Sequence, residues 1–301
     1  MREVMVVVNP ISGSVFRHRL LGVLLRYLRA HQQTQGYNLT VRLTRHAGHV
    51  AEILSRRALK EYDVVLSVGG DGTLNECARA LVGRAIPLGI VAMGSGNGLA
   101  RHLGLPLRPL DALSRLQSAV PLQMDTGRIA EHLFAGVAGV GLDGDVGWQY
   151  DKLPARGPVS YVQAVAQVYF TYRPRTYTIC VDGVSRTVRA LMLTFCNGSQ
   201  FGNNATIAPG ASVTDGYLDL VIVHPFPKVD ISYLAIMLFN GQIARSRYVE
   251  CIRFRHLEVQ TDGPVRGHCD GESRLFPAQF EVKVVPGDLR VLVPKEREGR
   301  V

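Results

Sequence analysis

The chain has 301 residues, with 34 Lys and Arg against 25 Asp and Glu, a formal net charge of +9 and 47% hydrophobic residues. This composition excludes a disordered tail or a coiled coil, and the length admits two domains or one large one. The basic excess favours an anionic partner (nucleotide, lipid surface or nucleic acid) without choosing among them.

The opening segment MREVMVVVNP has an apolar run too short for a secretory signal, and it predicts a strand from Val4 to Asn9. Leu20, Leu21, Leu24, Leu25 and Leu28 recur at helical spacing within Val15 to His31. A strand over Leu39 to Thr44 precedes a helical pattern from Gly48 to Tyr62, and Asp63 to Val68 is a continuous apolar strand running into Gly69-Gly70-Asp71-Gly72. Thr73 to Val82 reads as helix, Ile86 to Ala92 as strand, and Gly94-Ser95-Gly96-Asn97-Gly98 leads into Leu99 to Leu103. The resulting βαβαβαβ order calls for a parallel sheet covered on both faces.

After about Pro121 the pattern changes. Thr176 to Val181, Val188 to Cys196, Tyr217 to Val223, Leu257 to Thr261 and Phe280 to Val285 alternate with turn-rich stretches, as in an antiparallel sandwich or flattened barrel. Helical patterns at Val159 to Tyr172 and Lys228 to Asn240 interrupt it. The expected division is an α/β domain over 1–122 and a β-rich domain over 123–301, with the final run, Leu289 to Val293, compatible with either. No stretch reaches the length of a membrane span. The five cysteines are scattered and form no C-x-x-C pair, which predicts neither a disulfide framework nor a zinc site and suits a reducing, cytoplasmic compartment.

Three early strands end in loops of small residues: Asn9-Pro10-Ile11-Ser12-Gly13-Ser14, Gly69 to Thr73, and Gly94 to Gly98. Strand carboxyl ends in an open α/β sheet share one edge, where glycine lets backbone N–H groups approach phosphate and a helix N-terminus adds its dipole. Any one such loop is equally well a strand-to-helix turn; three at equivalent positions point to a phosphate site. No Walker A sequence occurs, and the one G-x-G-x-x-G match, Gly139 to Gly144, reads as a turn-rich strand end with no helix after it. His46, His49, His102 and His132 make no metal motif.

The three loops, with Gly69-Gly70-Asp71-Gly72-Thr73-Leu74-Asn75-Glu76, resemble the diacylglycerol kinase catalytic domain family, which includes bacterial lipid kinases and sphingosine kinases. The likeness continues through Asp125-Thr126-Gly127, Ile207-Ala208-Pro209, Asp215 to Leu220, and Asp270-Gly271-Glu272. It implies a two-domain kinase, with ATP in a cleft between an α/β domain of NAD kinase/diacylglycerol kinase type and a β-rich lipid-binding domain. By position it implies that Asn9, Ser12, Gly13, Thr44, Gly69, Gly70, Asp71, Gly72, Thr73, Asn75, Ser95, Gly96 and Asn97 surround the nucleotide. A structural Mg2+ site at Ser212, Asp215 and Tyr217 is implied likewise, with oxygen ligands that suit a hard cation. Glu272 is the leading general base by resemblance, with Asp270 orienting it or sharing the role and Asp71 as rival, although Asp-Gly alone is an ordinary turn dipeptide.

The partners expected are therefore ATP and a lipid alcohol such as diacylglycerol or a sphingoid base, with transient contact at the inner face of the membrane. Arg17 with Arg19, and Arg245, Arg247, Arg253 and Arg255 beside Ile231 to Phe239, are candidate basic clusters for that contact, against the ordinary reading of solvated and core faces. No nucleic-acid motif appears, and a homodimer is compatible with the sequence. The competing readings are a soluble NAD kinase-like enzyme and a catalytically silent lipid- or nucleotide-binding module. One departure from the family, Phe201-Gly202-Asn203-Asn204, replaces a run of glycines, and Asn tolerates the positive φ that such a turn demands.

Overall fold

The computed structural model describes residues 2–12, 17–55, 58–153 and 158–297. The chain divides into two compact units, residues 1–124 with 287–301, and residues 125–286.

The first unit begins with β1 (Arg2–Val8), α1 (Arg17–Gln35), β2 (Tyr37–Leu43) and α2 (His49–Ile53). It continues with β3 (Val64–Gly69), α3 (Asp71–Leu81), β4 (Leu88–Ala92), α4 (Gly98–His102) and α5 (Pro109–Leu116). The strands lie in the order β2-β1-β3-β4, all parallel, with Val4 opposite both Leu39 and Val64, and Leu66 opposite Gly89. Consecutive residues Val4 to Val8 are all buried, the mark of a strand covered on both faces. Leu24 and Leu28 of α1 and Ala112 and Leu113 of α5 pack against Val6, Val8, Leu66 and Val68. The alternating order expected from the sequence is thus present.

The Gly48 to Tyr62 helix is not. Among the described residues of that stretch only His49–Ile53 is α-helical, and Ala58–Glu61 forms a 3-10 turn. Val50, Leu54 and Leu59 are the buried anchors, and the five-residue step from Leu54 to Leu59 would turn Leu59 about 140° away on a regular helix. Breaking the helix returns it to the core.

β5 (Ala119–Ile129) carries the chain from the first unit into the second, which contains β6 (His132–Phe134), β7 (Val137–Gly141), α6 (Leu142–Lys152) and α7 (Pro158–Tyr169). Next come β8 (Arg175–Val181), β9 (Val184–Ala190), β10 (Met192–Cys196), β11 (Leu218–Val223) and α8 (Ile231–Phe239). The unit is completed by β12 (Val249–Phe254), β13 (His256–Gln260), β14 (Val265–Cys269), β15 (Glu272–Phe276) and the first half of β16 (Gln279–Pro294). β16, β13, β8 and β9 make one antiparallel layer; β12-β11-β10-β7-β14-β15 make the other. Their facing side chains, among them Phe134, Tyr177, Phe195, Leu220, Phe276 and Phe280, form one core. Period-two burial fits this sandwich: Phe280 and Val282 point inward while Gln279, Glu281 and Lys283 are exposed.

Three sequence expectations are corrected here. Val188 to Cys196 is two strands, because Ala190 and Leu191 are both buried in succession, which breaks the alternation where the chain passes from β9 in one layer to β10 in the other. Phe280 to Val285 and Leu289 to Val293 belong to the single strand β16; Gly287 takes φ +59° without ending it. The second half of that strand lies in the first unit, with Val291 parallel to Leu88.

The third correction concerns Gly139 to Gly144, which does lead into a helix, α6. Its mixed, weakly periodic sequence hides it. The helix start is filled from within: the Gly144 N–H donates to Asp143 Oδ1 at 2.8 Å, and a Cβ at Gly144 would lie 2.4 Å from the Arg266 carbonyl oxygen. The Gly144 N–H is therefore already taken and its Cα is closed over by the chain at Arg266.

Candidate functional site

In the first unit, β2, β1, β3 and β4 are neighbours, so the loops after them lie side by side at the carboxyl edge of the sheet. Asn9 closes the first loop on itself, its Oδ1 accepting the Ile11 N–H at 3.0 Å, while its Nδ2 donates to Thr73 Oγ1 at 3.1 Å. Ser12 Oγ accepts the Gly70 N–H at 3.2 Å. Thr44 follows β2 and donates its N–H to the Val8 carbonyl at 2.8 Å. Gly13 lies outside the described residues, as do the side chains of Arg17 and Arg19.

The second and third loops touch through backbone. A Cβ on Gly94 would stand 2.8 Å from Gly70 Cα, so a side chain there would push the loops apart. Asn97 sits at φ +52° and ties its side chain to Gly94 twice, accepting from its N–H at 3.0 Å and donating to its carbonyl at 2.9 Å. Asp71 fastens the pair: its two carboxylate oxygens accept the Asn97 N–H at 2.8 Å and the Gly98 N–H at 3.0 Å. Burial pushes the Asp71 carboxyl up, while these two N–H groups and the Arg101 charge pull it down. Asp71-Gly72 is no turn; it opens α3, with Thr73 and Asn75 buried in its first turns.

The arrangement brings Asn9, Ser12, Gly69, Gly70, Asp71, Thr73, Gly94 and Asn97 into one connected group, with Gly72, Asn75, Ser95 and Gly96 in the same loops. Two supporting residues escaped the sequence reading. Glu76 accepts the Gly48 and Val50 N–H groups at 2.9 and 3.2 Å, fixing the turn after Thr44, and Arg101 Nε donates to the Gly96 carbonyl at 3.0 Å. Glu76 is legible as the end of the Gly69 to Glu76 block; Arg101 carries no signal beyond its place after the third loop.

His46, His49 and Glu52 each bring one potential ligand atom within 4.8 Å of the others. His49 Nδ1 accepts the Arg45 N–H at 3.1 Å, and its Nε2 lies 3.8 Å from Glu52. One ring nitrogen of His49 is thus already taken up by the backbone of its own loop.

Burial lowers His102 from 6.5 to about 4, so its ring is neutral at pH 7 and supplies no cation to a phosphate. The unfolded chain takes up that proton near pH 6.5 and the folded one only near pH 4. Acidification through this window therefore favours unfolding, by about 3 kcal/mol at pH 4. Urea unfolding is expected to show this loss in the wild type and a flatter profile between pH 6.5 and 4 in His102→Gln; superimposable profiles would contradict it.

In the second unit, Asp270 and Gly271 form a two-residue turn between β14 and β15, with φ +49° and +82°. The turn and the side-chain role coexist. Asp270 Oδ2 accepts the Ala135 N–H at 2.8 Å, and its Oδ1 accepts those of Gly136 and Val137 at 2.8 and 2.9 Å. Glu272 begins β15, partly exposed, and Arg274 Nη2 donates to its Oε2 at 2.7 Å. Beside this hairpin, His268 Nε2 lies 3.5 Å from Asp143 Oδ2.

Ser212, Asp215 and Tyr217 share one loop. Asp215 Oδ1 accepts the Tyr217 N–H at 3.0 Å, its Oδ2 meets the Arg253 guanidinium, and Arg253 and Arg255 both stack on the Tyr217 ring at 4.5 Å. Asp125 holds this loop, accepting the Gly216 N–H at 2.7 Å and donating its own N–H to the Val213 carbonyl. Asn197, fully buried, donates to the carbonyls of Asp125 and Ala135 at 2.8 and 2.7 Å. In the sequence Asn197-Gly198 shows only as a turn signal after an apolar run. The loop at Phe201 to Asn204 takes positive φ throughout its turn, with φ +125° at Gly202, +50° at Asn203 and +66° at Asn204.

Comparison with known proteins agrees across the chain. Residues 3–129 match the diacylglycerol kinase catalytic domain, and residues 136–293 match the YegS C-terminal NAD kinase beta sandwich-like domain. A diacylglycerol kinase of Bacillus subtilis (strain 168) is 25% identical over 99% of this chain and 98% of its own length. A Pseudomonas aeruginosa protein named "Probable lipid kinase YegS-like" is 31% identical, covering 88% of both chains. The crystal structure of a diacylglycerol kinase from Bacillus anthracis str. Sterne superposes with a TM-score of 0.76 over 98% of each chain at 19% identity, a likeness of fold.

Proposed function

We propose, from the premise that this chain belongs to the diacylglycerol kinase catalytic domain family and is a lipid kinase, that it transfers the γ-phosphate of ATP to the hydroxyl of a lipid such as diacylglycerol or a sphingoid base. The observation that carries this reading is the joined set of strand-end loops, where Gly70 and Gly94 pack backbone to backbone under the clasp of Asp71. Nothing bulkier than glycine fits there, and backbone N–H groups at a sheet's carboxyl edge suit a polyphosphate. Asn9, Ser12, Gly13, Thr44, Gly69 to Asn75 and Ser95 to Asn97 are the nucleotide group.

Glu272 is the base we favour over its rivals. Asp71 and Asp270 each commit both carboxylate oxygens to backbone N–H groups, which suits them to hold loops rather than receive a proton. In the reaction the Glu272 carboxylate takes the proton of the lipid hydroxyl, the hydroxyl oxygen bonds to the γ-phosphorus, and the bond from that phosphorus to the β-bridging oxygen breaks, releasing ADP. Mg2+ accompanying ATP neutralises phosphate charge. A structural Mg2+ suits the carboxylate of Asp215 and the main-chain oxygens of Ser212 and Tyr217 in donor type, with Arg253 as the cation already on that carboxylate.

The enzyme is expected to act in the cytoplasm at the membrane face. None of the five cysteines is in a disulfide, which suits a reducing compartment, and no helix among the described residues is long and apolar enough to cross a membrane. The relatives' names weigh for a lipid acceptor over NAD. The deciding experiment incubates the protein with labelled ATP, Mg2+ and either a total lipid extract or NAD. A labelled phospholipid is expected; label in NADP alone, or in neither, would overturn the reading.

A further inference from the structure

α8 carries no charged residue on any side. Leu234 and Met237 face inward onto Val221, Val223 and Val249 of the six-stranded layer. Its outward face, Ser232, Tyr233, Ala235, Ile236 and Phe239, carries no charged residue. Ile236 is 62% exposed and Phe239 57%, and Val229, just before the helix, is 85% exposed. A surface helix ordinarily turns charged residues to water on the side away from its core. Phe170, at the end of α7, extends the patch: it is 58% exposed, and Lys228 reaches it through its ring and its carbonyl oxygen.

Cations border this face. Lys228, Arg245 and Arg247 are exposed at the two ends of α8, and the neighbouring carboxylate, Asp230, accepts the Tyr248 hydroxyl at 2.6 Å and lies 3.9 Å from Arg247. The Arg247 guanidinium covers the Tyr248 ring at 4.8 Å. An uncharged apolar ridge with basic ends matches the interface of an anionic bilayer, where aromatic and aliphatic side chains enter the acyl boundary and Lys and Arg meet lipid phosphates.

We infer that the outward face of α8, with Val229 and Phe170, is the surface on which this protein docks to an anionic lipid bilayer, using Lys228, Arg245 and Arg247 for the headgroups. The inference rests on the lipid-kinase reading above and deepens it by naming the membrane-binding element. A neutral protein partner or a second copy of the chain would also cover apolar area, but neither has use for a basic border.

The test is flotation with vesicles of phosphatidylcholine alone or mixed with phosphatidylglycerol, using wild type, Ile236→Ser/Phe239→Ser and Lys228→Gln/Arg245→Gln. Wild type is expected to float with the mixed vesicles and to release as salt rises. The serine variant should bind them at least about tenfold more weakly, from the loss of two inserted apolar side chains. The glutamine variant should lose its preference for phosphatidylglycerol. Both variants should keep wild-type thermal unfolding and wild-type turnover of a short-chain lipid dissolved below its micelle concentration.

Unchanged flotation of the serine variant would overturn the inference, as would a wild-type dimer in size-exclusion chromatography that this variant converts to monomer. The two readings fail separately. Wild-type activity on dissolved lipid with unaltered vesicle binding by the variants removes the docking surface alone, whereas docking that depends on these residues in a protein that phosphorylates no lipid removes the kinase reading alone.

Discussion

Glu272→Gln is expected to lower kcat for lipid phosphorylation by about 10²- to 10⁴-fold, the span ordinarily lost with a positioned general base. The KM for ATP should stay near wild type, because Glu272 belongs to the β14–β15 hairpin and not to the strand-end loops. Stability should hardly change: the carboxylate is partly exposed and pairs with Arg274, and a pair of this kind contributes about 0–1 kcal/mol. Steady-state kinetics with a thermal scan on the same preparation check this. A variant with full kcat would take Glu272 out of the chemistry, and one that fails to fold would show that it holds the hairpin instead.

Asp71→Asn has a different expected signature. An amide presents one acceptor oxygen and one NH2 group, so one of the two N–H donors, Asn97 or Gly98, would face another donor. Leaving that N–H unmatched costs about 1–3 kcal/mol, and the third loop loses its tether to the second. Binding of ATP measured by calorimetry should weaken by at least about tenfold, together with a lower unfolding temperature. Loss of turnover with ATP binding and stability intact would return Asp71 to the role of base.

Much of the first unit was legible because its signals are local. Continuous buried runs such as Val4 to Val8 read as parallel strands, and Gly, Asn and Ser at their ends read as loops. The hairpin at Asp270-Gly271 was legible for the same reason. What escaped depends on partners distant in sequence. That Asp270 binds the N–H groups of residues 135–137, or that Asn197 bridges Asp125 and Ala135, leaves no periodic trace. Leu59 regains the core by breaking a helix, and Ala190-Leu191 marks a change of layer that reads as uninterrupted strand.

The second half of β16 gives the nascent chain an unusual timetable. Val291 lies beside Leu88, and the Asp288 carbonyl accepts the Gly83 N–H at 2.8 Å, so the first unit draws part of its sheet from beyond residue 286. During synthesis the whole stretch Asp125–Pro286 leaves the ribosome before β4 meets this partner. The sandwich is therefore free to mature first, while the amino-terminal strands wait with an unpaired margin. Completion of the first unit is thereby deferred until residues 287 onward have been made.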